Sequence, residues 1–196
     1  MIENLSLESG DLVFIAIPNK LYRRVALATG SPASHVGIVF FDEAKGWLVA
    51  ESTIPFSKYT PLEKFLCRSD QGWLQIRRLK GGLTKEQVKA LKEACDARMG
   101  KLYHLGFRYE SPRQFCSKLV YEVYLSVLGV PVGHLEQFGE LLKKNPDVPL
   151  AFWRTWFFGF IPWSRLTVTP ASQINSSVLE AVYEMPMLTT NTKGSS

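Results

Sequence analysis

SPRQFCSKLVYEVYLSVLG, residues 111–129, reads as a helix that carries a cysteine near its beginning. Ser111, Pro112 and Gln114 form an S-x-x-Q capping signature with proline at the first helical position. Phe115, Leu119, Val120, Val123, Val127 and Leu128 then recur every three or four residues and draw one apolar stripe. Gly129 stands where a helix-terminating glycine belongs, and Pro131 blocks continuation. Cys116 is therefore expected in the opening turns, where unpaired N–H groups and the helix dipole favour an anion. A thiol so placed ionises more readily than a free one, as a nucleophile requires. Cysteine is also among the most buried residue types, so a base must be found elsewhere in the chain.

The best source is a hairpin. SHVGIVFF (34–41) and WLVAESTI (47–54) are rich in β-branched and aromatic residues and flank turn material from Asp42 to Gly46, which reads as an antiparallel hairpin with a five-residue loop. Side chains on a strand alternate faces with a period of two. A loop of three or five residues puts His35 and Glu51 on the same face, directly opposite or one step diagonal, within reach of a carboxylate–imidazole bond. A four-residue loop would separate them. His104 and His134 lie near expected loops or helix starts with no carboxylate placed beside them, and are read as surface residues.

Elsewhere the patterns are plain. Gly10 to Ile17 reads as a buried strand ended by Pro18, and Asn19 to Thr29 as a helix capped by Asn19 and closed by Gly30, with Leu21, Val25 and Leu27 apolar. A short helix is expected over Thr60 to Leu66, ending on a structural Cys67, and a strand over Trp73 to Leu79. Thr84 and Gln87 make a capping box for a helix to Met99, whose stripe of Val88, Leu91, Cys95 and Met99 places Cys95 in the core. Another helix is expected from His134 to Lys144. Leu150 to Trp163 is the most apolar passage and holds three of the five tryptophans. It is too short to span a bilayer and contains Arg154, so core packing or a cleft wall is favoured over membrane contact. Val178 to Glu184 is extended.

The 196 residues suit one domain over 1–186 with a disordered polar tail over 187–196. The net charge of +5 comes from dispersed basic pairs without a nucleic-acid-binding motif, so no nucleic-acid partner is expected. Three cysteines without C-x-x-C spacing imply reduced thiols in a cytoplasmic protein, with neither a disulfide frame nor a metal site. MIENLSLESGDL has no basic start followed by an apolar run, so no secretory signal is read there. No cofactor motif stands out.

GDLVF, SHVGIVF, VAES, GKLYHLGF, QFCSKLVYEVY and TPASQINSS, in that order over residues 10 to 180, resemble the YiiX/YebB-like family. This is a circularly permuted branch of the papain-fold superfamily that includes NlpC-type peptidases. The resemblance implies an α+β fold, with a nucleophile-bearing helix packed on an antiparallel, barrel-like sheet. It implies Cys116 as nucleophile, His35 as base, Glu51 as the polar third member and Tyr103 as the tyrosine preceding the cysteine, an oxyanion donor with the Cys116 N–H. A permuted order is no obstacle, since such triads are defined by geometry. Ser117-Lys118 departs from the Ser-Gly of NlpC-type enzymes, and Lys118 is expected to narrow the site. Three functions remain open: a cysteine amidase or peptidase acting on a small peptide or muropeptide, a lipid acyltransferase or esterase, and a binding module without turnover. No oligomeric state follows from the sequence.

Overall fold

The computed structural model describes residues 5–146 and 148–185; the 187–196 tail lies outside them. Five strands come first in the chain: β1 (Leu12–Ile15), β2 (His35–Asp42), β3 (Gly46–Ser52), β4 (Ser57–Pro61) and β5 (Leu74–Leu79). β6 (Glu136–Gln137), β7 (Leu166–Thr167) and β8 (Leu179–Glu184) follow. Six of them form one antiparallel sheet in the order β4-β3-β2-β1-β5-β8, while β6 and β7 pair separately. The helices are α1 (Lys20–Thr29), α2 (Leu62–Leu66), α3 (Lys85–Asp96), α4 (Cys116–Leu128), α5 (Phe138–Lys144), α6 (Leu150–Trp156) and α7 (Pro170–Ile174).

The central strands are apolar without alternation because both faces of the sheet are covered. Leu12, Phe14, Val36, Ile38 and Phe40 meet Leu119, Val120 and Val123 of α4, with Leu91 and Cys95 of α3 beyond. On the opposite face Val13, Ile15, Val39, Val49 and Ile76 meet Leu62 and Phe65 of α2. Gly37 is required between these layers. A Cβ there would lie 2.3 Å from Val49 Cγ1 and 3.0 Å from the Ala50 carbonyl oxygen.

Several local expectations hold. Asn19 caps α1 by accepting from the Tyr22 N–H, and Gly30 closes it in the left-handed region. The Thr84–Gln87 capping box opens α3, and Gly129 ends α4 with φ +66°. Cys95 is fully buried, and burial pushes its thiol up to about 12. Others need correction. Ser111 does not cap α4; Phe115 occupies the cap position, so Cys116 is the first helical residue. Residues before it are drawn into extended pairing, with the Gln114 N–H donating to Leu102 O at 2.9 Å and the His104 N–H to Gln114 O at 2.7 Å. That tertiary pairing outweighs the local capping motif. Thr60 belongs to β4 rather than a helix, because residues 57–61 add a strand to β3. Cys67 is exposed and has no structural role in the core, and Leu27 points outward. α5 begins only at Phe138, since Glu136 and Gln137 are held by β7. His104 is half-buried rather than free on the surface, its Nδ1 accepting from the Gly106 N–H at 3.1 Å.

Candidate active site

The hairpin register decides which side chains can meet. Ile38 pairs with Ala50, and the ladder runs to Asp42 opposite Gly46, leaving a three-residue loop. Continuing that register puts Glu51 opposite Gly37, one step diagonal from His35 and on the same face. Gly37 leaves no side chain between them. The His35 Nε2–H donates to Glu51 Oε2 at 2.6 Å, and both side chains are fully buried.

Glu51 is held from two further directions. Thr60 Oγ1 donates to Oε1 at 2.6 Å, and Arg68 donates to Oε2 at 2.7 Å. Burial alone would raise this carboxyl, but the bond to His35, the charges of His35 and Arg68 and the Thr60 hydroxyl hold it down at about 2. It is therefore an anion that only accepts, which fixes the proton on Nε2 and leaves Nδ1 as the ring's variable nitrogen. Nδ1 is buried without a formed hydrogen bond.

The group next to that nitrogen is Cys116. Burial opposes ionisation of the thiol, yet the charge and hydrogen-bonding reach of His35 outweigh it, helped by the Val36 and Ser117 backbone N–H groups. The thiol is thus held below its ordinary range. Burial likewise opposes the imidazolium, but Cys116 and Glu51 together raise His35 to about 9. The two shifts have one common cause: at this helix N-terminus each group favours the charged form of the other.

Tyr103 is buried with its hydroxyl within hydrogen-bonding reach of Cys116. The Tyr22 hydroxyl donates to it at 3.4 Å. Tyr22 also sets its ring edge against His35, with centroids 5.8 Å apart, while Phe65 stacks on the other side at 5.5 Å. Beside Cys116 lies a narrow, mostly apolar cavity of about 30 Å3, whose lining includes Val25, Phe107, Phe115, Leu141 and Trp153. Across Tyr22 and Ser34 a wider groove of about 560 Å3 is bordered by Arg23, Asp70 and Trp73.

Cys116, His35, Glu51 and Tyr103 are therefore brought together. Lys118 is not part of the cavity wall: its ammonium donates to the carbonyls of Ser111 and Arg113 and lies 3.5 Å from Glu122. His134 stays exposed, 3.9 Å from Glu136. Sequence reasoning missed Tyr22, Thr60, Phe65 and Arg68. Tyr22 carried a signal, an aromatic with a polar tip beside Leu21 in a short helix. Thr60 and Arg68 carried none: β4 has no strand pattern of its own, and Arg68 follows α2 with no motif to tie it to Glu51.

A histidine and a carboxylate on an antiparallel sheet, facing a cysteine that opens a later helix, define a permuted papain-like fold. Comparison with known proteins agrees. The chain belongs to the family of permuted papain-like amidase enzymes described as YaeF/YiiX, C92, whose family model matches residues 6–183. It is 31% identical over 186 residues to the uncharacterized protein YiiX of Escherichia coli (strain K12), covering 95% of this chain and 86% of that one. The crystal structure of YiiX from Escherichia coli O157:H7, described as a metalloprotein, superposes with a TM-score of 0.84 at 30% identity, over 91% of this chain and 97% of that one.

Proposed function

We propose that this protein is a thiol hydrolase of the amidase type that forms an acyl-enzyme on Cys116. The observation that carries the proposal is the buried His35 ring, bonded through Nε2 to Glu51 and presenting Nδ1 to the thiol at a helix N-terminus. In the resting pair the proton sits on Nδ1 and the sulfur is anionic. The thiolate attacks a carbonyl carbon, and the oxyanion takes hydrogen bonds from the Cys116 backbone N–H and the Tyr103 hydroxyl. The imidazolium then protonates the leaving amine as the C–N bond breaks. In the second half-reaction neutral His35 takes a proton from water, which attacks the thioester and releases the acid. Glu51 keeps the tautomer and steadies the positive ring.

The apolar lining of the cavity beside Cys116 favours an apolar substituent on the scissile carbonyl, and its volume of about 30 Å3 limits that substituent to a small one. It also supports the second reading, ester cleavage or acyl transfer on a lipid, since the same acyl-enzyme can be resolved by another nucleophile. Among the described residues no group of three or more His, Cys, Asp or Glu side chains is placed to hold a metal ion. The free thiols at positions 67, 95 and 116 suit a reducing compartment, as in the cytoplasm.

The test is intact-mass spectrometry after exposure to p-nitrophenyl esters of increasing chain length. A single acyl adduct on Cys116, absent from Cys116→Ala and strongly slowed in His35→Ala, is expected. Equal or faster modification of the exposed Cys67 would overturn the assignment.

A further inference from the structure

The geometry points to a docking surface for an anionic lipid bilayer, built on the outer side of α6 and the turn that follows it. Phe158 and Phe160 are 94% and 85% exposed, at the tip of this turn. Large apolar side chains left so completely in water mark an interaction site more often than chance, particularly when they cluster. Phe158 has φ +53° and Gly159 φ +100°. Two successive left-handed residues throw the ring outward instead of folding it back, a backbone that a phenylalanine adopts only at a cost.

Behind the tip, Phe152, Trp156 and Phe157 border an open groove of about 1210 Å3. Its charged lining is cationic, among neutral residues such as Leu105, Pro149 and Thr155. Lys20, Arg24 and Arg165 line it, and no carboxylate is present among its described lining residues. Arg24 sits over the Phe152 ring at 5.5 Å and Arg165 over Phe157 at 4.9 Å, so guanidinium and aromatic groups are interleaved. Arg154 adds an exposed cation on α6 itself. Aromatic rings entering the acyl boundary with lysine and arginine at the headgroup level is the pattern of a protein that lies on a negatively charged bilayer. A protruding pair of rings suits a fluid acyl layer, which needs no preformed complementary socket. Among the described residues no helix is long and apolar enough to cross a membrane.

The patch adjoins the candidate site through one helix. Trp153, on the inner side of α6, lines the cavity beside Cys116, while Phe152 and Trp156 face the groove. Docking would thus bring the wall of the cavity to the lipid surface. The docking itself does not depend on turnover at Cys116.

Co-sedimentation with phosphatidylcholine vesicles containing about a third phosphatidylglycerol tests it, against pure phosphatidylcholine and at rising salt. Binding to the anionic vesicles is expected to weaken at least about tenfold in Phe158→Ser/Phe160→Ser, and to fall with salt. Both side chains are exposed, so the variant should keep the wild-type unfolding temperature and the wild-type rate of Cys116 labelling by a soluble thiol probe. Arg24→Gln/Arg165→Gln is expected to lose the preference for anionic vesicles while retaining weak binding to neutral ones. Absence of binding to either vesicle, or binding unaffected by the double phenylalanine variant, would overturn the proposal. So would self-association in sedimentation velocity that this variant abolishes, which would assign the patch to a second copy of the chain.

Discussion

His35 is a fully buried imidazole with Glu51 at Nε2 and the Cys116 thiol beside Nδ1. Its value near 9 sets the upper limit of the proposed mechanism. Above that pH the ring no longer protonates the leaving group, so kcat/KM for an amide should fall with a limb near 9, whereas alkylation of the thiolate should persist. Replacing His35 with alanine removes both the charge that holds the thiolate and the general acid, with an expected rate loss of about 10²- to 10⁴-fold. Arg68 acts one step further out. It lies 2.7 Å from Glu51 and is one-third exposed, and removing its charge releases part of what holds the carboxyl down. Glu51 then protonates at higher pH, so Arg68→Met should move the acid limb of the rate profile upward by about half to one unit while leaving the basic limb in place. An unmoved acid limb would show that Arg68 only packs on Phe65.

Among the elements, the first hairpin and α4 do the positioning. Within the hairpin, the approach of β2 to β3 and α2 depends on a glycine that no chemistry-bearing residue would suggest. An alanine at position 37 puts its Cβ against Val49 Cγ1 and the Ala50 carbonyl, and the β-branched valine has little freedom to yield. Gly37→Ala should destabilise the protein by about 1–3 kcal/mol and shift the Glu51-bearing strand. Thermal unfolding and the rate of Cys116 labelling should fall together, the first by roughly 2–4 °C per kcal/mol. The start of α4 is held by a different device. Lys118 reaches back to the carbonyls of Ser111 and Arg113, tying the extended segment that precedes Cys116 to the helix it introduces. Lys118→Met leaves two carbonyls without that charged donor and should cost about 1–3 kcal/mol, read from denaturant unfolding. The residue expected to obstruct the cleft is a strap beneath it.

For the molecule as a whole, the buried His35–Glu51 pair couples stability to pH. Glu51 titrates near 2 when folded, below its ordinary 4.5. A depressed carboxyl contributes stability that is present above the ordinary value and lost as pH falls toward the folded one. His35, raised to about 9 from 6.5, contributes below 6.5 and loses that contribution as pH rises through 9. These two groups together stabilise the fold most between about 4.5 and 6.5. Glu51→Gln should be less stable at neutral pH and should show a flatter loss between pH 4.5 and 2, by of order 1–3 kcal/mol. Urea titrations at a series of pH values measure both. An unchanged acid slope in the variant would mean that other carboxylates govern acid unfolding.

The parts with local causes were legible from the residues alone. Asn19, the Thr84–Gln87 box and Gly129 mark helix ends through hydrogen bonds and backbone angles that involve only neighbours in sequence. The even register of a short-looped hairpin placed His35 and Glu51 on one face, because strand periodicity is a local property. What the sequence could not decide was whatever depends on distant chain segments competing for the same backbone groups. Ser111 has a sound capping motif, yet Gln114 pairs with Leu102 and His104 instead. Thr60 looks helical, yet β3 has an open edge and takes it as a strand. Arg68, Phe65 and Tyr22 converge on the triad only once β4, α2 and α1 are folded around it. Sequence determined which residues are candidates for the chemistry and which ends stop the helices; tertiary structure decided who surrounds them, since burial and charge come from neighbours that the chain brings together only on folding.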